Sequence, residues 1–262
     1  MDMSRVNQLK DCRLFIFDLD GTVYGETEHF QTYADELTRF VPQDKQQQFQ
    51  QEVMNALAES GRSLYGKVYA RDTGEVVAVN DGKQSEAHMH VDDPWGLLQV
   101  KAAVYGVPEE ARNQAFLATR DWMAAEAFAM RPLVGFREAL LRLKAEGRHM
   151  VLATNSPEPD SRSILTKLQL IDVFEDFVFR AKKPFETLNH FRRWLDKYDV
   201  APEFAVSVGD HYRNEILPAI QLGMKTVYVD RYIREPRPDV TVQVNHPEEL
   251  TAVLLGSLKS PL

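Results

Sequence analysis

The chain has 262 residues, 44% of them hydrophobic and 27% charged, proportions that support a buried core and exclude disorder over the whole length. Cys12 is the single cysteine, so neither an internal disulfide nor a cysteine zinc cluster can form. The N-terminus has no apolar leader run and no stretch is apolar for long enough to cross a bilayer, so a cytoplasmic protein is expected.

The net charge of −8 argues against a general nucleic-acid binder or a ligand of anionic membranes. Most of that charge sits in one place. Residues 24–131 carry 10 basic and 17 acidic side chains, while the rest of the chain is close to neutral. An acidic unit inserted into a near-neutral one is expected.

Leu14-Phe15-Ile16-Phe17 is a short apolar run that reads as a buried strand ending at Asp18. Phe30, Tyr33, Leu37 and Phe40 recur at helical spacing between Glu26 and Val41, and Pro42 closes that helix. A second helix is expected from Asp44 to Ser60, stopped by Gly61. Residues 68–71 and 75–79 around Asp72-Thr73-Gly74 read as a β-hairpin, with a further turn at Asn80-Asp81-Gly82. Two more helices follow from about Pro94 and Pro108, the second reaching Met130.

After Arg131-Pro132 the pattern becomes a regular alternation. Helices are expected over 135–146, near 160–168, and over 185–198 and 214–222. They alternate with strands at 150–153, 177–179, 204–208 and 226–229, and a last helix starts near Pro247. Such alternation predicts an α/β fold, a Rossmann-like doubly wound parallel sheet with helices on both faces. The run at 14–17 must join this sheet. The expected domains are therefore a core of residues 1–23 and 132–262 and a mainly helical cap of residues 24–131 containing a β-hairpin.

Ligands of open α/β sheets bind beyond the carboxyl ends of the strands. There the chain delivers Asp18, Asp20, Gly21 and Thr22; Thr154 and Asn155; Lys182 and Lys183; and Gly209, Asp210 and Glu215. Clustered carboxylates stay ionised together only when a cation joins them, and hard oxygen donors favour Mg2+, which pairs with substrate phosphate. An aspartate can attack phosphorus while a neighbouring carboxyl handles the leaving group's proton. Lysine and hydroxyl groups can hold the phosphoryl oxygens.

These residues also carry a resemblance. Asp18-Leu19-Asp20-Gly21-Thr22 matches the DxDGT signature of the haloacid dehalogenase-like hydrolase superfamily. Thr154-Asn155, Lys183-Pro184 and the run from Gly209 to Glu215 are similar to its second, third and fourth motifs, in order. The resemblance implies that Asp18 is the nucleophile and Asp20 the general acid/base. It implies that Asp18, the Asp20 carbonyl and Asp210 hold Mg2+, and that Thr154 and Lys183 are catalytic and bind the phosphoryl group with Gly21 and Asn155. Glu215 stands where the family often has Asp and is one methylene longer, so it is expected to reach the metal through water or to act from behind the direct ligands. An acid two residues after the nucleophile implies phosphoryl chemistry rather than dehalogenation.

The expected function is a Mg-dependent phosphatase hydrolysing a small phosphorylated metabolite through an aspartyl-phosphate, as a monomer or homodimer. A phosphomutase or phosphotransferase and a catalytically weak phosphate-binding protein are the alternatives. In the cap, His88 and His90 with Asp92 and Asp93 could form a second metal site, but are more simply read as polar surface of an exposed hairpin. Arg62, Lys67, Arg71 and Lys83 are candidates for a second anionic group on the substrate, or simply solvated charge.

Overall fold

In the computed structural model, residues 2–78 and 85–259 are described. The expected turn at 80–82, the end of the expected strand 75–79 and Lys83 lie outside the described residues. The chain divides into two compact units, one of residues 1–26 and 129–262 and the other of residues 27–128.

Eight strands are present among the described residues: β1 (Leu14–Phe17), β2 (Lys67–Ala70), β3 (His88–Val91), β4 (His149–Ala153), β5 (Asp176–Val178), β6 (Ala205–Gly209), β7 (Lys225–Val229) and β8 (Val242–Val244). In the first unit six of them form a sheet in the order β5-β4-β1-β6-β7-β8, and every pair is parallel. Counted along this unit alone, that is the doubly wound order 3-2-1-4-5-6, whose direction reverses beside β1.

All four residues of β1 are buried because both of its faces are covered. Leu14 and Ile16 pack with Val151, Phe191 and Trp194 on one side. Phe17 meets Phe136 and Phe174 edge-on at 6.1 and 5.7 Å on the other. Each such side chain contributes about 1.5–3 kcal/mol by leaving water. Trp194 is wholly buried, and its indole N–H donates to Asp176 Oδ2 at 2.8 Å.

Two elements differ from expectation for local reasons. The helix expected over 214–222 is a π-helical turn, Tyr212–Ile216, followed by a short α-helix, Leu217–Gln221. Pro218 has no N–H to offer the Asn214 carbonyl, which accepts instead from the Thr187 hydroxyl at 2.9 Å. β8 was not expected. Only three residues long, it completes the sheet by pairing with β7.

The second unit packs the helices His29–Thr38, Gln46–Leu57, Pro94–Val104 and Glu109–Ala124 around Phe30, Tyr33, Leu37, Phe49, Val53 and Leu98. The helix expected from Asp44 begins at Gln46 and ends at Leu57, before Ala58 turns extended. The expected hairpin is present in part. Gly74 N–H bonds the Ala70 carbonyl, and Glu75–Val77 runs back along β2 through Ala70 N–Glu75 O (2.9 Å) and Val77 N–Val68 O (2.8 Å). The other edge of β2 pairs antiparallel with β3, a contact too distant in sequence for local turn signals to reveal.

Candidate active site

β4, β1 and β6 are neighbours, so Thr154, Asp18 and Asp210, which follow them, leave the sheet side by side. The Asp18 N–H bonds the Val208 carbonyl at 2.9 Å, which extends the β1–β6 ladder by one residue. Ala181 N–H bonds the Thr154 carbonyl at 2.9 Å and carries the segment after β5 back over β4, toward Lys183. The Lys183–Pro184 peptide is cis.

The Lys183 ammonium donates to Asp18 Oδ1 at 2.6 Å and to the Ala153 carbonyl at 2.9 Å, and it lies 2.7 Å from Glu215 Oε1. The three side chains are only 3%, 8% and 5% exposed. Burial pushes the Asp18 carboxyl up to about 7; Lys183 pulls it back, and the neighbouring Glu215 and Asp20 charges reinforce the rise. Burial alone would lower the Lys183 pKa, but the two carboxylates outweigh it and hold the ammonium above its ordinary value. One buried ammonium therefore serves more carboxylate than it can neutralise.

Asp20 is held at both oxygens. Tyr24 donates to Oδ1 at 2.6 Å and Ser156 donates to Oδ2 at 2.6 Å, with the Thr154 hydroxyl 3.5 Å from Oδ2. Thr154 Oγ1 in turn accepts from the Ser156 N–H at 3.1 Å. Asp210 closes over the first loop. Gly21 has φ +75°, and a Cβ there would lie 2.1 Å from Asp210 Oδ2, so the carboxylate occupies the space that glycine leaves.

Asn155 and Glu215 have structural partners of their own. Asn155 Oδ1 accepts from the Lys183 N–H at 2.7 Å, and its Nδ2 donates to the Lys183 carbonyl at 3.1 Å. The Asn155 side chain thus braces the Lys183 backbone. Glu215 Oε2 accepts from the His211 N–H at 3.0 Å, while its other oxygen faces Lys183.

Strand ends also carry purely structural carboxylates. Asp230, after β7, is buried by accepting from the N–H groups of Ile233, Arg234 and Glu235.

Neither Ser156 nor Tyr24 is among the site residues expected from the sequence. The signal for Ser156 was its position directly after Thr154-Asn155. The signal for Tyr24 was an aromatic hydroxyl four residues beyond Asp20.

Elsewhere, Arg71 Nε donates to the His88 carbonyl and Arg62 lies 3.6 Å from Glu59, so both charges have local partners. Trp122 and Phe128 pack ring to ring at 4.4 Å. Among the described residues no three His, Cys, Asp or Glu side chains gather as metal ligands. Asp18 and Asp210, which follow the neighbouring strands β1 and β6, offer carboxylate oxygens at the sheet edge. Hard oxygens with surplus negative charge fit a divalent cation that keeps several of its waters.

A doubly wound sheet binds its ligands at the carboxyl edge, and that is where this chain gathers carboxylates, an ammonium and hydroxyls. Residues 12–223 match the haloacid dehalogenase-like hydrolase family, and the chain belongs to it. A glyceraldehyde 3-phosphate phosphatase of Pyrococcus furiosus is 33% identical over 119 residues, 41% of this chain and 49% of that protein. The chain thus spans about half the length of that curated relative.

Solved structures share the fold at low identity. A predicted phosphoglycolate phosphatase from Haemophilus somnus aligns with TM-score 0.57 and 17% identity over 93% of this chain and 98% of that one. A putative hydrolase of the family from Bacillus subtilis, bound to magnesium, aligns with TM-score 0.56 and 15% identity over the same shares. No helix among the described residues is long and apolar enough to cross a membrane.

Proposed function

We propose that the protein is a Mg2+-dependent phosphatase of small phosphomonoesters; one relative is named a glyceraldehyde 3-phosphate phosphatase. The observation that carries this reading is the Asp18–Lys183–Glu215 group beside an Asp20 held at both oxygens. It supports Asp18 as a buried nucleophile and Asp20, two residues on, as a separate proton carrier.

Lys183 fixes Asp18 Oδ1, which orients the carboxylate for attack on phosphorus. As the Asp18–phosphorus bond forms, the ester P–O bond breaks, and protonated Asp20 gives its proton to the departing oxygen. Asp20, now ionised, takes a proton from the water that attacks the aspartyl-phosphate. The Asp18–phosphorus bond then breaks, and phosphate and the original carboxylate are released. Lys183 and the Thr154 hydroxyl offset charge on the phosphoryl oxygens in both steps. Asp18, Asp210 and the Asp20 carbonyl would hold Mg2+, which supplies further charge neutralisation at the phosphate.

The test is phosphate release from p-nitrophenyl phosphate in Mg2+. Activity is expected to vanish on chelation and in Asp18→Asn. Equal rates for that variant and the parent would refute the nucleophile assignment.

A further inference from the structure

We propose that Tyr24 and Ser156 are positioning residues that clamp the Asp20 carboxyl in its proton-transfer orientation, so that leaving-group protonation depends on both. The inference rests on the phosphatase reading and extends it to two residues outside the matched motifs. Both side chains are buried, 1% and 4% exposed, and each donates to a different oxygen of Asp20 at 2.6 Å.

They come from separate segments. Tyr24 follows β1, and Ser156 follows β4, where its N–H also bonds Thr154 Oγ1. A carboxylate gripped at both oxygens by groups on different loops can neither swing about its Cα–Cβ bond nor spin its plane without breaking a hydrogen bond to a charged group.

The chemistry of the clamp matters as much as its reach. A hydroxyl has one donor and two acceptor positions, so it can turn from giving to receiving a hydrogen bond. When Asp20 is ionised, both hydroxyls donate to it. When Asp20 carries the proton, one hydroxyl can turn and accept. A lysine or backbone N–H could only donate, and would resist the protonated state that must deliver H+ to the leaving oxygen. Two hydroxyls hold the orientation in both states of the cycle. In the transfer itself the ester P–O bond breaks, the Asp20 O–H bond breaks, and a new O–H forms on the departing alcohol.

The experiment compares kcat/KM, which reports on steps up to P–O cleavage, for an alkyl phosphate and for 2,4-dinitrophenyl phosphate. The dinitrophenolate departs without help from an acid; the alkoxide does not. Tyr24→Phe and Ser156→Ala are each expected to lower the alkyl value about 10-fold, and the double variant about 100-fold, as befits lost general acid catalysis. The loss on the dinitrophenyl ester should be several-fold smaller in each case.

Ser156→Thr keeps the hydroxyl and should restore most of the alkyl activity. Urea midpoints of all variants establish that they are folded. Equal losses on both esters in folded variants, or no rescue by Ser156→Thr, would overturn the clamp. Asp20→Asn is the reference. If it shows no leaving-group dependence while the parent turns over, the acid/base reading of Asp20 fails and the clamp fails with it. A parent with no turnover of either ester sinks the phosphatase reading itself.

Discussion

Gly21→Ala perturbs the close approach of the Asp210 carboxylate on which the proposed cation site depends. Gly21 sits at φ +75°, where an L side chain costs about 1–2 kcal/mol in backbone strain. The larger effect is steric. The new methyl would lie 2.1 Å from Asp210 Oδ2 and 2.8 Å from its Cγ, against an ordinary contact of 3.4 Å or more. The atoms it meets belong to a side chain, so the carboxylate can move aside by more than an ångström while the fold survives. The variant should therefore lose only about 1–2 kcal/mol in urea unfolding. A displacement of that size at a reacting centre costs about 100-fold in rate. The assay is kcat/KM on p-nitrophenyl phosphate over a Mg2+ titration, in which the half-saturating Mg2+ concentration should also rise. Activity within threefold of the parent, at unchanged Mg2+ demand, would refute the claim that the Asp210 carboxylate over Gly21 is part of the machinery.

Two further outcomes follow from the buried charges. Glu215→Ala removes one of the two carboxylates that share the Lys183 ammonium and leaves Asp18 to pair with it one to one, so metal-free protein should lose only about 1 kcal/mol in urea, chiefly for the unpaired His211 N–H; a loss above about 3 kcal/mol would show that Lys183 needs both carboxylates. Burial raises Asp18 from 3.8 to about 7, so the fold gains from the protonated form below 3.8 and loses that gain as pH rises through about 7. Asp18→Asn does not titrate, so in chelator its stability relative to the parent should climb between pH 4 and pH 7, by at most about 4 kcal/mol. A gap that stays flat or narrows with rising pH would contradict the electrostatic picture of the site.

Much of the fold follows from local pattern. The apolar runs at 14–17 and 150–153 read as strands buried on both faces, and the alternation after residue 132 predicts a parallel sheet. The same holds for which residues stand at the strand ends. Asp18, Asp20, Lys183 and Asp210 each stand just past an apolar run, where a doubly wound sheet presents its ligands.

Other features depended on which distant segments meet. That β3 lies beside β2, that Val242–Val244 is a strand, and that Glu215 turns to Lys183 all rest on partners many residues away. Ser156 and Tyr24 are ordinary hydroxyl residues until β1 and β4 lie side by side and place both against Asp20. Periodicity reports which face of an element avoids water, because burial acts on each residue separately. A hydrogen bond at 2.6 Å reports where two chain segments end up, and that is decided only when the whole core has packed.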